Sequence, residues 1–93
     1  MPLPHQPDAI EEARLLQELE AVASQLSVEI RHEDLDGGRG GLFRLRGQTC
    51  ILLDRELSLR ERVELMASAL ARLPLDDVFL RPAVREYLEG RTT

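Results

Sequence analysis

The stretch Thr49–Leu53, Thr-Cys-Ile-Leu-Leu, constrains the fold of this chain more than any other. Successive side chains of a strand point to opposite faces, so an unbroken apolar run is greasy on both. Such a strand reads as the most deeply buried one of its sheet. It asks for cover twice over. The chain's own helices can supply one face. The other is left to the terminal helix, an N-terminal arm or a second subunit, and a homodimer is the expected solution.

The runs GLFRLRG (41–47) and QTCILLD (48–54) read as two strands in a tight hairpin around Arg46, Gly47 and Gln48. In the first, Phe43 and Leu45 share one face and Arg44 and Arg46 the other. SVEIRHE (27–33) alternates as well, Val28 and Ile30 against Glu29, Arg31 and Glu33, which predicts a half-buried strand. The glycine-rich stretch 34–41 reads as a flexible loop between strands.

Three helices complete the pattern. Asp8 with Glu11 resembles a capping box, and Leu15, Leu19, Val22 and Leu26 follow at 4, 3, 4 spacing, with Leu16 and Ala23 beside them. Ser58 and Glu61 open a second helix whose stripe is Leu59, Val63, Met66, Leu70 and Leu73, with Pro74 stopping it at Leu73. Residues 75–80 read as a turn and a short extended piece. Pro82 suits the first position of a last short helix, Ala83–Glu89, ended by Gly90. The expected architecture is α+β: a small, mainly antiparallel three-stranded sheet packed by a long N-terminal helix, a long second helix and a short C-terminal helix. The pattern does not fix the strand order. Residues 1–7, with three prolines, read as a flexible arm, 8–90 as a single domain and 91–93 as a tail.

Charge narrows the partners. Twelve basic against 17 acidic residues give −5, which disfavours nucleic acid and anionic membrane surfaces. No apolar run approaches the ~20 residues that span a bilayer, and the start of the chain lacks a signal peptide's charged and apolar segments, so a cytoplasmic protein is expected. Every basic residue is Arg, and Lys and Asn are absent; both have AT-rich codons, which points to a GC-rich, bacterial genome. One Cys and two His leave no intramolecular disulfide and no multi-histidine metal site.

Several small constellations invite chemistry, and each has a structural alternative. DGGRGG can offer backbone N–H groups to a phosphate, with Arg39 at its tip as the contact. It joins two strands instead of entering a helix, and it lacks Gly-Lys-Ser/Thr, so a connection explains it as well. Cys50 and His32 are the one conceivable nucleophile–base pair, but both fall on strands, where Cys is usually a small buried hydrophobe. Asp34 with Asp36, and Asp76 with Asp77, are acidic pairs that suit turns as readily as a divalent cation. Arg44 and Arg46, with Arg31 across the sheet, are expected on one solvent face, and Arg60, Arg62 and Arg72 on the second helix. Glu29, Glu33 and Glu56 are candidate partners. Such a face is either solvated and ion-paired or docks an acidic partner.

The hairpin-to-helix section 41–73 resembles the zincin-type peptidases of bacterial regulation. Those place His-Glu-x-x-His on the helix, so that histidines at i and i+4 grip one zinc and the Glu activates water. Aligned on the surrounding Leu-Ala pattern, Ser68 and Arg72 take the histidine positions and Ala69 the glutamate position. A guanidinium does not ligate zinc, and without the Glu there is no general base. The resemblance implies at most a catalytically dead relative. The phrases GGL, RLRG, LLD, DDVFL and PAVRE also resemble a small bacterial domain family of unknown function, which implies a fold and no activity.

The expectation is therefore a non-catalytic protein-interaction module that self-associates, without cofactor or metal. The alternative is a binder of small molecules or peptides, whose carboxylate or phosphate is held by Arg39, Arg44, Arg46 or Arg72.

Overall fold

The doubly apolar strand lies at the centre of the sheet. The computed structural model of the chain describes residues 9–90. Its elements are α1 (Ala9–Gln25), β1 (Glu29–Glu33), β2 (Gly40–Leu45), β3 (Gln48–Asp54), α2 (Leu59–Leu70) and α3 (Pro82–Glu89). The α+β class is as expected. The sheet order is β1-β3-β2, with β1 parallel and β2 antiparallel to β3. The sheet is thus mixed, which corrects the mainly antiparallel expectation.

The reason is the route of the loop after β1. Two strand spacings, ~10 Å, must be crossed for β3 to insert between its predecessors. Asp54 ties this crossing to the end of β3. Its carboxylate accepts from Leu35 N–H at 3.1 Å, and its own N–H donates to the Arg39 carbonyl at 3.0 Å. Gly40 lets the chain rejoin the sheet: its φ is +118°, and a Cβ there would stand 1.9 Å from the Leu52 carbonyl oxygen.

The hairpin closes on the pair Leu45–Gln48, with Arg46 at φ 53° and Gly47 at φ 81°. Two successive left-handed residues make the type I′ turn that suits the twist of paired strands.

Helix boundaries follow local chemistry. Ser58 and Glu61 form the expected reciprocal capping box of α2. The regular helix ends at Leu70, three residues before the expected stop, and the chain continues in turns to Leu73. At the end of α1, Ser27 is left-handed at φ 58°. Ser27 N–H reaches the Ser24 carbonyl at 3.1 Å, and Val28 N–H reaches Ala23 at 2.9 Å, which is a Schellman stop. Ser27 and Val28 therefore belong to the helix end and not to the first strand, which begins at Glu29. α3 starts at Pro82 and is capped by Gly90. Asp8, the arm 1–7 and the tail 91–93 lie outside the described residues.

The core sits on one side of the sheet. Ile51 and Leu53 of β3 are buried with Leu19, Val22 and Ala23 of α1 and Val63, Met66, Ala67 and Leu70 of α2. Each fully buried aliphatic side chain contributes roughly 1.5–3 kcal/mol relative to exposure. α1 covers the β1 side, and α2 covers β2 and β3. α3 packs through Val84 and Leu88 on the two helices and lies away from the sheet.

Candidate functional site

Strand pairing assigns every sheet residue to a face. Ile51 pairs with Ile30 and Leu42, so these belong to the helix-covered face. Cys50 pairs with Glu29 and Phe43, and Leu52 with Arg31 and Gly41, so these belong to the opposite face. Among the described residues no helix covers that second face.

The uncovered face has an apolar middle and a charged margin. Phe43 is 38% and Leu45 44% exposed, and Leu52 is half-buried beside them. Cys50, in the central strand, is only 1% exposed, with its Sγ 3.6 Å from the Gln48 carbonyl and 3.9 Å from Glu29 Oε2. Along β1, Arg31 bridges Glu33 at 2.9 Å and reaches Glu29 at 4.0 Å. These exposed pairs are worth little to stability. They frame the apolar strip with polar groups, as the rim of an interface does.

The arginines divide differently from expectation. Arg31 belongs to the uncovered face, whereas Arg44 pairs with Thr49 on the helix-covered one, so the two do not line a common surface. A separation by one odd step in register reverses the face, and the crossover that sets this register is not local. Arg44 turns back onto its own hairpin, donating to the Gly47 carbonyl at 2.8 Å and to Thr49 Oγ1 at 3.2 Å. Arg46 occupies the turn. Arg39 precedes β2, and its charge reaches Glu61 on the first turn of α2. Arg60 lies 3.9 Å from Glu12, and Arg62 donates to the Arg55 carbonyl at 3.0 Å.

Arg72, Ser68 and Ala69 fall together in a groove of about 120 Å³ between α2 and β2, completed by Leu65, Gly41 and Leu42. Arg72 has no ion-pair partner among the described residues. Ser68 and Arg72 are exposed and Ala69 is buried. Hydroxyl, methyl and guanidinium do not make a zinc ligand set. The described residues hold no cluster of three His, Cys, Asp or Glu placed to bind a metal ion.

Cys50 and His32 stand on opposite faces, since His32 pairs with Leu53 and Cys50 with Glu29. They form no nucleophile–base pair. A wide concavity beside β1 is lined by Arg31, His32, Glu33, Asp34 and Arg55. Its charges are of both signs, and Arg55 is spent on the His32 carbonyl at 3.3 Å. Asp34 Oδ1 accepts from Asp36 N–H at 3.5 Å, a turn geometry. Asp76 and Asp77 lie in the turn after α2. No helix among the described residues is long and apolar enough to cross a membrane.

The apolar strip was only half visible in the sequence. Phe43 and Leu45 announce a shared face by their alternation, but nothing local says that the helices take the other one. No family model matches the chain, and neither the curated proteins nor the solved structures contain a match to it.

Proposed function

We propose that this chain is a non-catalytic protein-interaction module that pairs with a second copy of itself across the uncovered face of its sheet. One observation carries this: Phe43, Leu45 and Leu52 share a face from which α1, α2 and α3 are all absent. Two such faces stack about 10 Å apart in sheet-on-sheet packing. Burying the aromatic and leucine side chains of both copies gives about 25 cal/mol for each Å² of apolar surface removed from water. The ion-paired margin on β1 suits a polar rim, and an isologous pair presents the same strip twice.

Sedimentation equilibrium over a concentration series tests this. The wild type is expected to approach twice the 10.5 kDa chain mass as concentration rises. Phe43→Glu with Leu45→Glu is expected to stay at the single-chain mass, whereas Phe79→Ser on the far helical side dimerises normally. A wild type that remains monomeric up to millimolar concentration, or a double variant that still dimerises, overturns the proposal.

A further inference from the structure

The free edge of β2 and the groove beside it suit a different occupant, independent of the sheet face. The closing pair Leu45–Gln48 of a two-residue hairpin exchanges both backbone bonds, and bonded and non-bonded pairs then alternate along the ladder. The bond from Asp54 N–H to the Arg39 carbonyl keeps the same alternation six residues on. Gly41, Phe43 and Leu45 therefore turn their N–H and C=O groups toward β3. Leu42 and Arg44 turn theirs outward, and since β2 is an edge strand no neighbouring strand among the described residues takes them up.

The groove lies along this edge, with Gly41 and Leu42 on one wall and Leu65, Ser68, Ala69 and Arg72 on the other. Gly41 and Ala69 keep the floor low. A cavity of ~150 Å³ holds benzene, so the about 120 Å³ here suits one branched aliphatic side chain. Charge sets the direction. Arg72, in the turn just past the end of α2, brings positive charge to one end of the groove beside Gly41 and Leu42. Glu64, a turn before Ser68, sets negative charge toward the other end. An acidic side chain two residues from the aliphatic one, on the same face of an added strand, falls at Arg72.

We propose that an extended acidic segment of a partner protein adds as a fourth strand along β2, with an aliphatic side chain in the groove and a neighbouring carboxylate on Arg72. Backbone pairing gives the affinity, while the groove and the guanidinium group select the sequence.

The test uses the full chain and a fluorescein-labelled peptide, Thr-Glu-Thr-Val-Thr-Glu-Thr, whose symmetry serves either strand direction. Binding is read by anisotropy and by amide shifts. The expected result is saturable binding with shifts concentrated at Leu42, Arg44, Leu65 and Arg72. Arg72→Gln is expected to weaken it about tenfold, with an unchanged melting curve, and Ser68→Phe to abolish it by filling the groove. Peptides with Lys for Glu, or N-methylated at alternate residues, should not bind. Equal binding of either control, indifference to Arg72→Gln, or no binding at millimolar peptide overturns the proposal. Intermolecular NOEs between the β2 backbones of two copies at Leu42 and Arg44, seen with the protein alone, assign the edge to a second copy and overturn it too.

Discussion

The carboxamide of Gln25 closes two hydrogen bonds on the backbone of Phe79, accepting from its N–H at 3.1 Å and donating to its carbonyl at 3.2 Å. The last residue of α1 thereby treats the segment before α3 as a strand treats its neighbour. Val78 and Leu80 on either side are buried, while the Phe79 ring is held 78% exposed. Arg81 adds a 2.9 Å contact to Glu18 on the same helix. Gln25→Ala is expected to destabilise the fold by about 0.5–1 kcal/mol, since two exposed hydrogen bonds are exchanged for water. Phe79→Ser is expected to change stability by less than ~0.5 kcal/mol. Urea unfolding of the two variants checks this. A large loss from Phe79→Ser would mean that the ring is packed.

The capping box gives α2 a pH dependence. Bonds from the Ser58 backbone and side chain, aided by the positive charge of Arg39, hold the Glu61 carboxyl below its ordinary value. A carboxylate lowered in the folded state stabilises the fold at pH above its ordinary range, and this contribution is lost as pH falls through the lowered value. Ser58→Ala is expected to cost about 1 kcal/mol near neutrality. Its penalty should shrink as acid protonates Glu61. Melting curves of wild type and variant from neutral to acidic pH measure the difference; a penalty independent of pH would contradict the coupling.

Gly40 and Ser27 should respond to substitution in opposite ways. Gly40→Ala forces a Cβ into the Leu52 carbonyl at a left-handed φ and is expected to cost about 2–4 kcal/mol. Ser27→Gly relieves a left-handed non-glycine residue at the α1 stop and is expected to gain roughly 0.5–1 kcal/mol. Denaturant midpoints with unchanged slope report both.

What could be read from the sequence was local. The Val63–Met66–Leu70 stripe, both partners of the Ser58–Glu61 box and the Arg46–Gly47 turn each depend on residues a few positions apart, and all three lie where expected. The burial of Ile51 and Cys50 follows from the apolar run itself, whereas the place of their strand between the other two does not. The parallel pairing of β1 was not legible, because it depends on how residues 34–39 cross the end of β3. That uncertainty spread to the site. Without the register, Arg31 and Arg44 looked like neighbours, though they belong to opposite faces. Similarly, Gln25 and Phe79 are 54 residues apart, and no pattern in either neighbourhood announces their contact. Arg72 was singled out for a metal alignment, yet its setting is a groove beside an edge strand.

The claim that a second copy covers the open sheet face is tested most directly by isotope-filtered NOE spectroscopy on an equal mixture of methyl-labelled and unlabelled protein. Intermolecular contacts are expected from the Leu45 and Leu52 methyl groups to the Phe43 ring. Their absence at concentrations where the protein is dimeric, or their appearance at Val84 and Phe79 instead, would contradict it.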